Sequence, residues 1–194
     1  MSAQSPDVCR PVSRSLTTMS ELMIPAYANF GGKIHGGTLL SMMDKVAYAC
    51  ASKHAGMYCV TVSVDNVDFR AAVEVGDLVT MRGSVNYVGR TSLMVGIRVE
   101  AESISTGEVR HTNTSYFTMV AKGEDGRPTQ VPELLLETRE EVRRYIEAIR
   151  RREVKSRYRE ALDDEYSHVA VDTELGMLDD QRCQIADGAL DRND

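Results

Sequence analysis

The sequence predicts an α+β fold in which a five-stranded antiparallel sheet wraps one central helix, with a charged helix added on the C-terminal side. Three observations predict it. Residues from Thr38 to about Ala55 are helix formers and are apolar almost all round, so this helix is expected to be buried on most faces. Beyond Gly56 the apolar period changes from helical to two, the signature of half-buried strands. One strand-like segment precedes the helix and four follow it, and a sheet wrapped around the helix is the economical way to bury such an element.

The elements follow in order. A polar leader, residues 1–14, is expected to be flexible, and the folded domain spans residues 15–135. Leu16 to Ile24 mixes apolar and hydroxyl residues at strand spacing and is stopped by Pro25. Tyr27 to Gly37 holds four glycines in eleven positions, a density that permits close backbone approach to a ligand. The helix follows, and Gly56 is its natural stop. Strands are then expected over Tyr58 to Phe69, Leu78 to Val88, Ser92 to Ile104 and Val109 to Ala121, separated by Gly- and Asp-containing turns. Residues 136–166 form the charged helix, in which Val142, Tyr145, Ile146 and Ile149 make a stripe expected to rest on the sheet or on a partner subunit. Its charges suit a solvated face with pairs such as Glu140 to Arg144 and Glu147 to Arg151, with a phosphate-binding role for Arg150, Arg151 and Arg152 as the sharper alternative. Residues 167–194 are acidic, lack a sustained period and are expected to form a mobile tail.

Composition removes several function classes. The chain has 194 residues, 42% of them apolar and 27% charged, as in a soluble globular protein. Its net charge of −6 is uneven: Ala161 to Asp194 holds eight Asp, two Glu and two Arg, a net of −8, which leaves the rest at +2. With no Trp and 6% aromatics it lacks the basic body and stacking platforms of a general nucleic-acid binder. No apolar run reaches the roughly 18 to 20 residues of a membrane span, and the N-terminus has no apolar h-region. The four cysteines are scattered, without a C-x-x-C pair or a histidine at zinc-ligand spacing, so no disulfide framework or metal is expected and a reducing cytoplasm fits best.

Within the helix Asp44 stands out, since it sits among Leu39, Leu40, Met42, Met43, Val46 and Ala47. A buried carboxylate is costly unless something binds it. It lies too deep in the helix to be a cap, and its neighbours one turn away offer no cation. Two readings stand side by side: a narrow wet stripe with Ser41, Lys45 and Tyr48, or a general base or nucleophile in a cleft where the helix crosses a subunit boundary. The preceding loop supplies a second half. Amides around Gly36, Gly37 and Thr38 open the helix, where unpaired N–H groups and the dipole can stabilise a developing oxyanion. A tight turn is the plainer role for that loop. His35 is either a ligand contact or an ordinary loop histidine, and Thr61 and Asn66 suit cross-strand pairing as well as catalysis.

Taken together, these segments resemble the acyl-CoA thioesterases of the hotdog fold, in particular the acyl-CoA hydrolase group of YciA-like enzymes and the cytosolic brain-type hydrolase. The matching residues are Asn29 through Asp44, then Val64 to Phe69, Val75-Gly76-Asp77, Gly89 to Val95, His111 to Phe117, and Gly126-Arg127-Pro128. They cover about residues 15 to 135. The resemblance implies a βαββββ hotdog that pairs into a double hotdog and commonly assembles as a trimer of dimers. It also implies that Asn29 and Asp44 are the catalytic pair, meeting across a protomer interface. Thr61 matches a polar residue that supports the water, the amides of Gly36 and Gly37 face the carbonyl oxygen, and Arg90, with Thr91 and Ser92, lies in the loop near the CoA phosphates. Many relatives carry an acidic residue two places before the Asn, where Tyr27 stands here.

The expected activity is therefore hydrolysis of fatty acyl-CoA to free acid and CoA, in fatty-acid metabolism, with no metal or cofactor and with acyl-CoA and further copies of the chain as partners. A non-catalytic acyl-CoA or nucleotide sensor of the same fold is the rival, and retention of both Asn29 and Asp44 argues against it. A hydratase would want a histidine working with Asp44, and none follows before His54 near the helix end. Met42, Met43 and Tyr48 are the expected lining of the acyl pocket.

Overall fold

The computed structural model describes residues 9–186, 189 and 190. The first eight residues of the leader and tail positions 187, 188 and 191–194 lie outside the described residues. The chain divides into two units, residues 1–150 and 151–194.

In the first unit, strands β1 (Cys9–Pro11) and β2 (Thr17–Leu22) precede helix α1 (Gly36–Ala55). Strands β3 (Cys59–Val64), β4 (Asp77–Val88), β5 (Ser92–Ser103) and β6 (Val109–Ala121) follow it. The five-stranded sheet has the order β2-β4-β5-β6-β3, antiparallel throughout. This is the expected fold class, and the expected strands stand with ends trimmed: Leu16 to Ile24 contracts to Thr17–Leu22, and the strand expected to reach Phe69 ends at Val64. Beyond Val64 the chain still follows β6, through Asp65 N–H to the Tyr116 carbonyl and Arg70 N–H to the Thr112 carbonyl, each 2.9 Å.

Helix α1 lies across the sheet and presses Leu39, Met42, Met43, Val46, Ala47, Cys50 and Ala51 into the core against Val85, Val95, Ile97, Phe117 and Met119. It crosses β4 at Gly83, where a Cβ would stand 2.7 Å from Val46 Cγ1 and 2.9 Å from Cys50 Sγ. Only a residue without a side chain lets the helix come this close. Gly56 stops the helix in the left-handed conformation, φ 74°, with its N–H on the Ser52 carbonyl at 2.8 Å.

A second sheet was not expected. β1 pairs in parallel with β7 (Glu133–Leu135). It is three residues long on each side and joins segments more than 120 positions apart. Arg10 fastens it to the end of α1 through the His54 carbonyl at 2.5 Å. His54 is fully buried, and its Nε2 lies 3.1 Å from the Pro132 carbonyl. Burial pushes the imidazole below its ordinary value; the Pro132 contact opposes this, while Arg10 and Arg14 add to it.

Helix α2 (Arg139–Ser167) opens with a reciprocal cap: Thr138 Oγ1 accepts from Glu141 N–H at 3.2 Å, and Glu141 Oε2 accepts from Thr138 N–H at 3.0 Å. Of the expected ion pairs, Arg144 holds Glu140 at 2.8 Å; Glu147 also pairs with Arg143. The expected stripe is only partly used. Tyr145 stacks on Tyr87 with ring centroids 5.0 Å apart, and Ala148 is buried, but Val142, Ile146 and Ile149 remain exposed. In the second unit α2 continues to Ser167, and a four-residue helix α3 (Val171–Glu174) and a 3-10 turn (Leu175–Leu178) follow.

Candidate active site

Asp44 is exposed in the single chain, together with Ser41, Lys45 and Tyr48. The narrow wet stripe, one of the two readings of Asp44, is what the single chain shows, and the helix expected to be buried on most faces is buried only where the sheet covers it. The Asp44 carboxylate is nonetheless held. Thr61 Oγ1 donates to Asp44 Oδ1 at 2.6 Å and stands 3.2 Å from Met119 Sδ. A β-bulge positions Thr61, for the β3–β6 register slips between Thr61 and Ser63 and leaves Val62 as the extra residue. Such bulges re-aim neighbouring side chains. The surrounding cleft is lined by Asp44, Lys45, Tyr48, Tyr58, Thr61 and Met119, and the Tyr48 and Tyr58 rings pack at 6.0 Å. Tyr58 and Met119 escaped the sequence reading, although pairing Thr61 with Met119 across the strands would have found the second.

The Gly-rich loop is a built turn. Asn29 Oδ1 accepts from Gly31 N–H at 2.9 Å and Lys33 N–H at 3.2 Å, and Asn29 N–H reaches the Lys33 carbonyl at 2.7 Å. The carbonyl half of the side chain thus folds the loop, while Nδ2 has no acceptor among the described residues. His35 is the N-cap of α1, its Nδ1 accepting from Gly37 N–H at 2.9 Å. Two expectations change. His35 is committed to the backbone, and the Gly37 amide is occupied, so Gly36 supplies the one helix-opening amide without an acceptor among the described residues. The Phe69 ring packs over Gly36, with Cε2 3.2 Å from where a Cβ would be. Tyr27 donates its hydroxyl to Glu21 Oε1 at 3.1 Å. That bond raises the Tyr27 phenol above its ordinary value.

These two half-sites are not joined within one chain. Gly36 and Asp44 are eight residues apart on one helix, about 12 Å along its axis. Arg90 lies with the Asp44 half: the register row Ser92, Val120, Val60 puts the β4–β5 turn at the sheet end where β3 begins. The turn is fixed through Gly89 N–H to the Ser92 carbonyl at 2.8 Å and Ala121 N–H to the Thr91 carbonyl at 3.0 Å. The Arg90 guanidinium is exposed and has no partner among the described residues.

Residues 31–108 match the Thioesterase superfamily. A protein named VdlD from Helicobacter pylori is 47% identical over 144 residues, covering 74% of this chain and 82% of its own. A solved apo-hexameric acyl-CoA thioesterase is 40% identical with a TM-score of 0.75, over 77% of this chain and 96% of that one. The chain belongs to the hotdog-fold acyl-CoA thioesterases. An acyl-CoA hydrolase from Staphylococcus aureus, solved with butyryl coenzyme A and coenzyme A, is 28% identical with a TM-score of 0.74, over 82% of this chain and 98% of that one. That hydrolase has also been solved with an aspartate, a threonine or an asparagine replaced by alanine.

In this thioesterase the described residues hold no group of three or more His, Cys, Asp or Glu able to bind a metal, and no helix long and apolar enough to cross a membrane. Cys50 and Cys59 are buried free thiols whose burial pushes them above their ordinary value, so neither is primed as a nucleophile. Of the expected acyl lining, Met43 belongs to the core, Met42 is buried but borders the cleft at the start of α1 with Tyr27, His35 and Thr38, and Tyr48 reaches the Asp44 cleft.

Proposed function

We propose that the enzyme hydrolyses fatty acyl-CoA to free acid and CoA without metal or cofactor, at a site built from two protomers. The Thr61–Asp44 hydrogen bond carries this reading. With Oδ1 taken by the hydroxyl, Oδ2 is the oxygen that accepts a proton from water. The water oxygen attacks the thioester carbonyl carbon, and Asp44 takes the proton. Negative charge on the carbonyl oxygen is met by the neighbouring protomer's Gly36 N–H, at the positive end of its α1. The C–S bond then breaks, and the departing thiolate is protonated from Asp44, which restores the carboxylate. Asn29 of the neighbouring protomer orients water or substrate through Nδ2. Arg90, flanked by Thr91 and Ser92, meets a CoA phosphate.

The assembly belongs to the same proposal. β3 is an open edge strand with Val62 and Val64 exposed, and beside it α1 exposes Leu40 and Tyr48. A bare edge next to apolar side chains calls for cover. A second copy pairing edge to edge makes the double hotdog, closes the wet stripe around Asp44 and brings Asn29 within reach. Three such dimers give a hexamer, and the cytoplasm is the expected compartment.

The test is thiol release from acyl-CoAs of increasing chain length, wild type beside Asp44→Ala, in the presence of chelator. Turnover that collapses in the variant supports the reading. Unchanged turnover by Asp44→Ala, or CoA binding without any hydrolysis, overturns it, the second in favour of a sensor.

A further inference from the structure

The turn at Asn29 is held from outside as well as from within. Lys33 forms an antiparallel bridge with Glu74, and Ile34 N–H donates to the Val73 carbonyl at 2.9 Å. Lys33 Nζ also pairs with Glu74 Oε1 at 2.5 Å, but both side chains are largely exposed, and such a pair contributes little by itself. The backbone bonds carry the position. Lys33 is the residue whose N–H and carbonyl close the turn on Asn29, so where Asn29 stands follows from where residues 73 and 74 stand.

Those two residues belong to no strand of the sheet, and a buried carboxylate fixes them. Asp77, the first residue of β4, is 4% exposed, and its Oδ2 accepts from Glu74 N–H at 2.9 Å and from the Arg110 guanidinium on β6 at 2.6 Å. Asp77 N–H returns to the Glu74 carbonyl at 3.2 Å, which closes the turn from both ends. Both side-chain bonds meet on one oxygen, so a shift of the guanidinium carries the Glu74 amide with it. Arg110 Nε is buried without a partner among the described residues. An unmade buried donor is costly, and an arginine free to swing out would turn that atom to water. Its bond to Asp77 holds it in. The contacts therefore run in one line from β6 to the loop, through Arg110, Asp77, Glu74, Lys33 and Asn29.

We propose that Asp77 and Arg110 are positioning residues for Asn29: their ion pair sets residues 73 and 74, and these set the loop that offers Asn29 Nδ2 to the neighbouring protomer. This rests on the two-protomer site of the proposed function. It adds that Asp77 acts on the partner's site and not on Asp44 of its own chain.

Mixtures of full-length chains test it by thiol release. Asp77→Ala alone is expected to lower turnover by about ten-fold, as a small misplacement of a catalytic group does. Co-expressed with Asp44→Ala, it is expected to reach about a quarter of the wild-type rate, because half of the pairs are mixed and hold one site with an undisturbed Asn29 loop and a native Asp44. Co-expressed with Asn29→Ala, it is expected to stay at about one twentieth, because every site with both residues then has the displaced loop. Asp77→Asn keeps an acceptor for Glu74 N–H and is expected to lose less while sorting the same way; it replaces Asp77→Ala in both mixtures if that chain is insoluble. Equal rates in the two mixtures would assign Asp77 to the fold at large and overturn the inference, as would unchanged turnover by Asp77→Ala alone. The control is Asn29→Ala with Asp44→Ala. Its failure to regain activity overturns the two-protomer site and this inference with it, whereas its success beside equal rates in the two Asp77 mixtures overturns the inference alone.

Discussion

The Thr61 hydroxyl donates to Asp44 Oδ1 across 2.6 Å and ties edge strand β3 to the wet face of helix α1. This bond holds the carboxylate in one orientation and leaves Oδ2 for water. Asp44→Ala is expected to lower kcat by about 10² to 10⁴, the usual contribution of a positioned base, with KM nearly unchanged. Thr61→Val keeps the base but lets it turn, and a fall of about ten-fold is expected. Steady-state thiol release separates the two. A Thr61→Val protein as impaired as Asp44→Ala would contradict the division of roles.

A site shared between protomers makes an unusual prediction for mixtures. Asn29→Ala and Asp44→Ala chains, each inactive alone, are expected to regain activity when co-expressed. Every mixed dimer then contains one site with a native Asn29 from one chain and a native Asp44 from the other. Random pairing gives about one quarter of the wild-type rate, since half of the dimers are mixed and each has one good site of two. If Asn29 and Asp44 act within one chain, no mixture contains a native site and the activity stays at the background of the single variants.

The Asx turn at Asn29 and the cap at His35 are local, and residue type alone could have suggested them. Yet the residue types leave His35 open between a ligand contact and an ordinary loop histidine, and leave the Gly36 and Gly37 amides both free to face a carbonyl. The competing local bond to Gly37 N–H was the missing consideration. The sheet and its helix were legible because alternation in Leu93, Val95, Ile97 and Val99 and the apolar run of α1 are repeated signals. The β1–β7 pair was not, because three residues give no period and their partners lie far along the chain. Asp44 marks the boundary between the two. Its apolar neighbours announced burial, but Leu40 and Tyr48 are apolar without being covered by their own chain, and one sequence does not say which apolar residues wait for a partner.

Gly83 sets how closely α1 rests on the sheet. A Cβ there would lie 2.7 Å from Val46 Cγ1 and 2.9 Å from Cys50 Sγ, both buried and without room to retreat. Gly83→Ala is expected to cost about 1 to 3 kcal/mol, as overpacked cores do. Denaturant unfolding measures it. Combining Gly83→Ala with Val46→Ala removes the nearer obstacle, so the pair is expected to lose less than the two single losses added together. Strict additivity would show that the helix simply shifts to make room.

His54 gives the fold a pH dependence whose sign follows from its surroundings. The imidazole is fully buried, touches the Pro132 carbonyl, feels the positive charges of Arg10 and Arg14, and is held below its ordinary value of 6.5 chiefly by burial. The folded chain therefore keeps it neutral at a pH where the unfolded chain has already bound a proton. Stability from this group is complete above about pH 6.5 and is lost as the pH falls through the folded value, with a slope approaching about 1.4 kcal/mol per pH unit for one proton. Urea unfolding between pH 7.5 and 5, titrations set by about one proton in this range, is expected to show that decline in the wild type. His54→Gln keeps a donor for the Pro132 carbonyl but cannot titrate; it should start less stable at neutral pH and decline less steeply in acid. Parallel slopes for the two proteins would assign the acid sensitivity to other groups and leave His54 a packing residue alone.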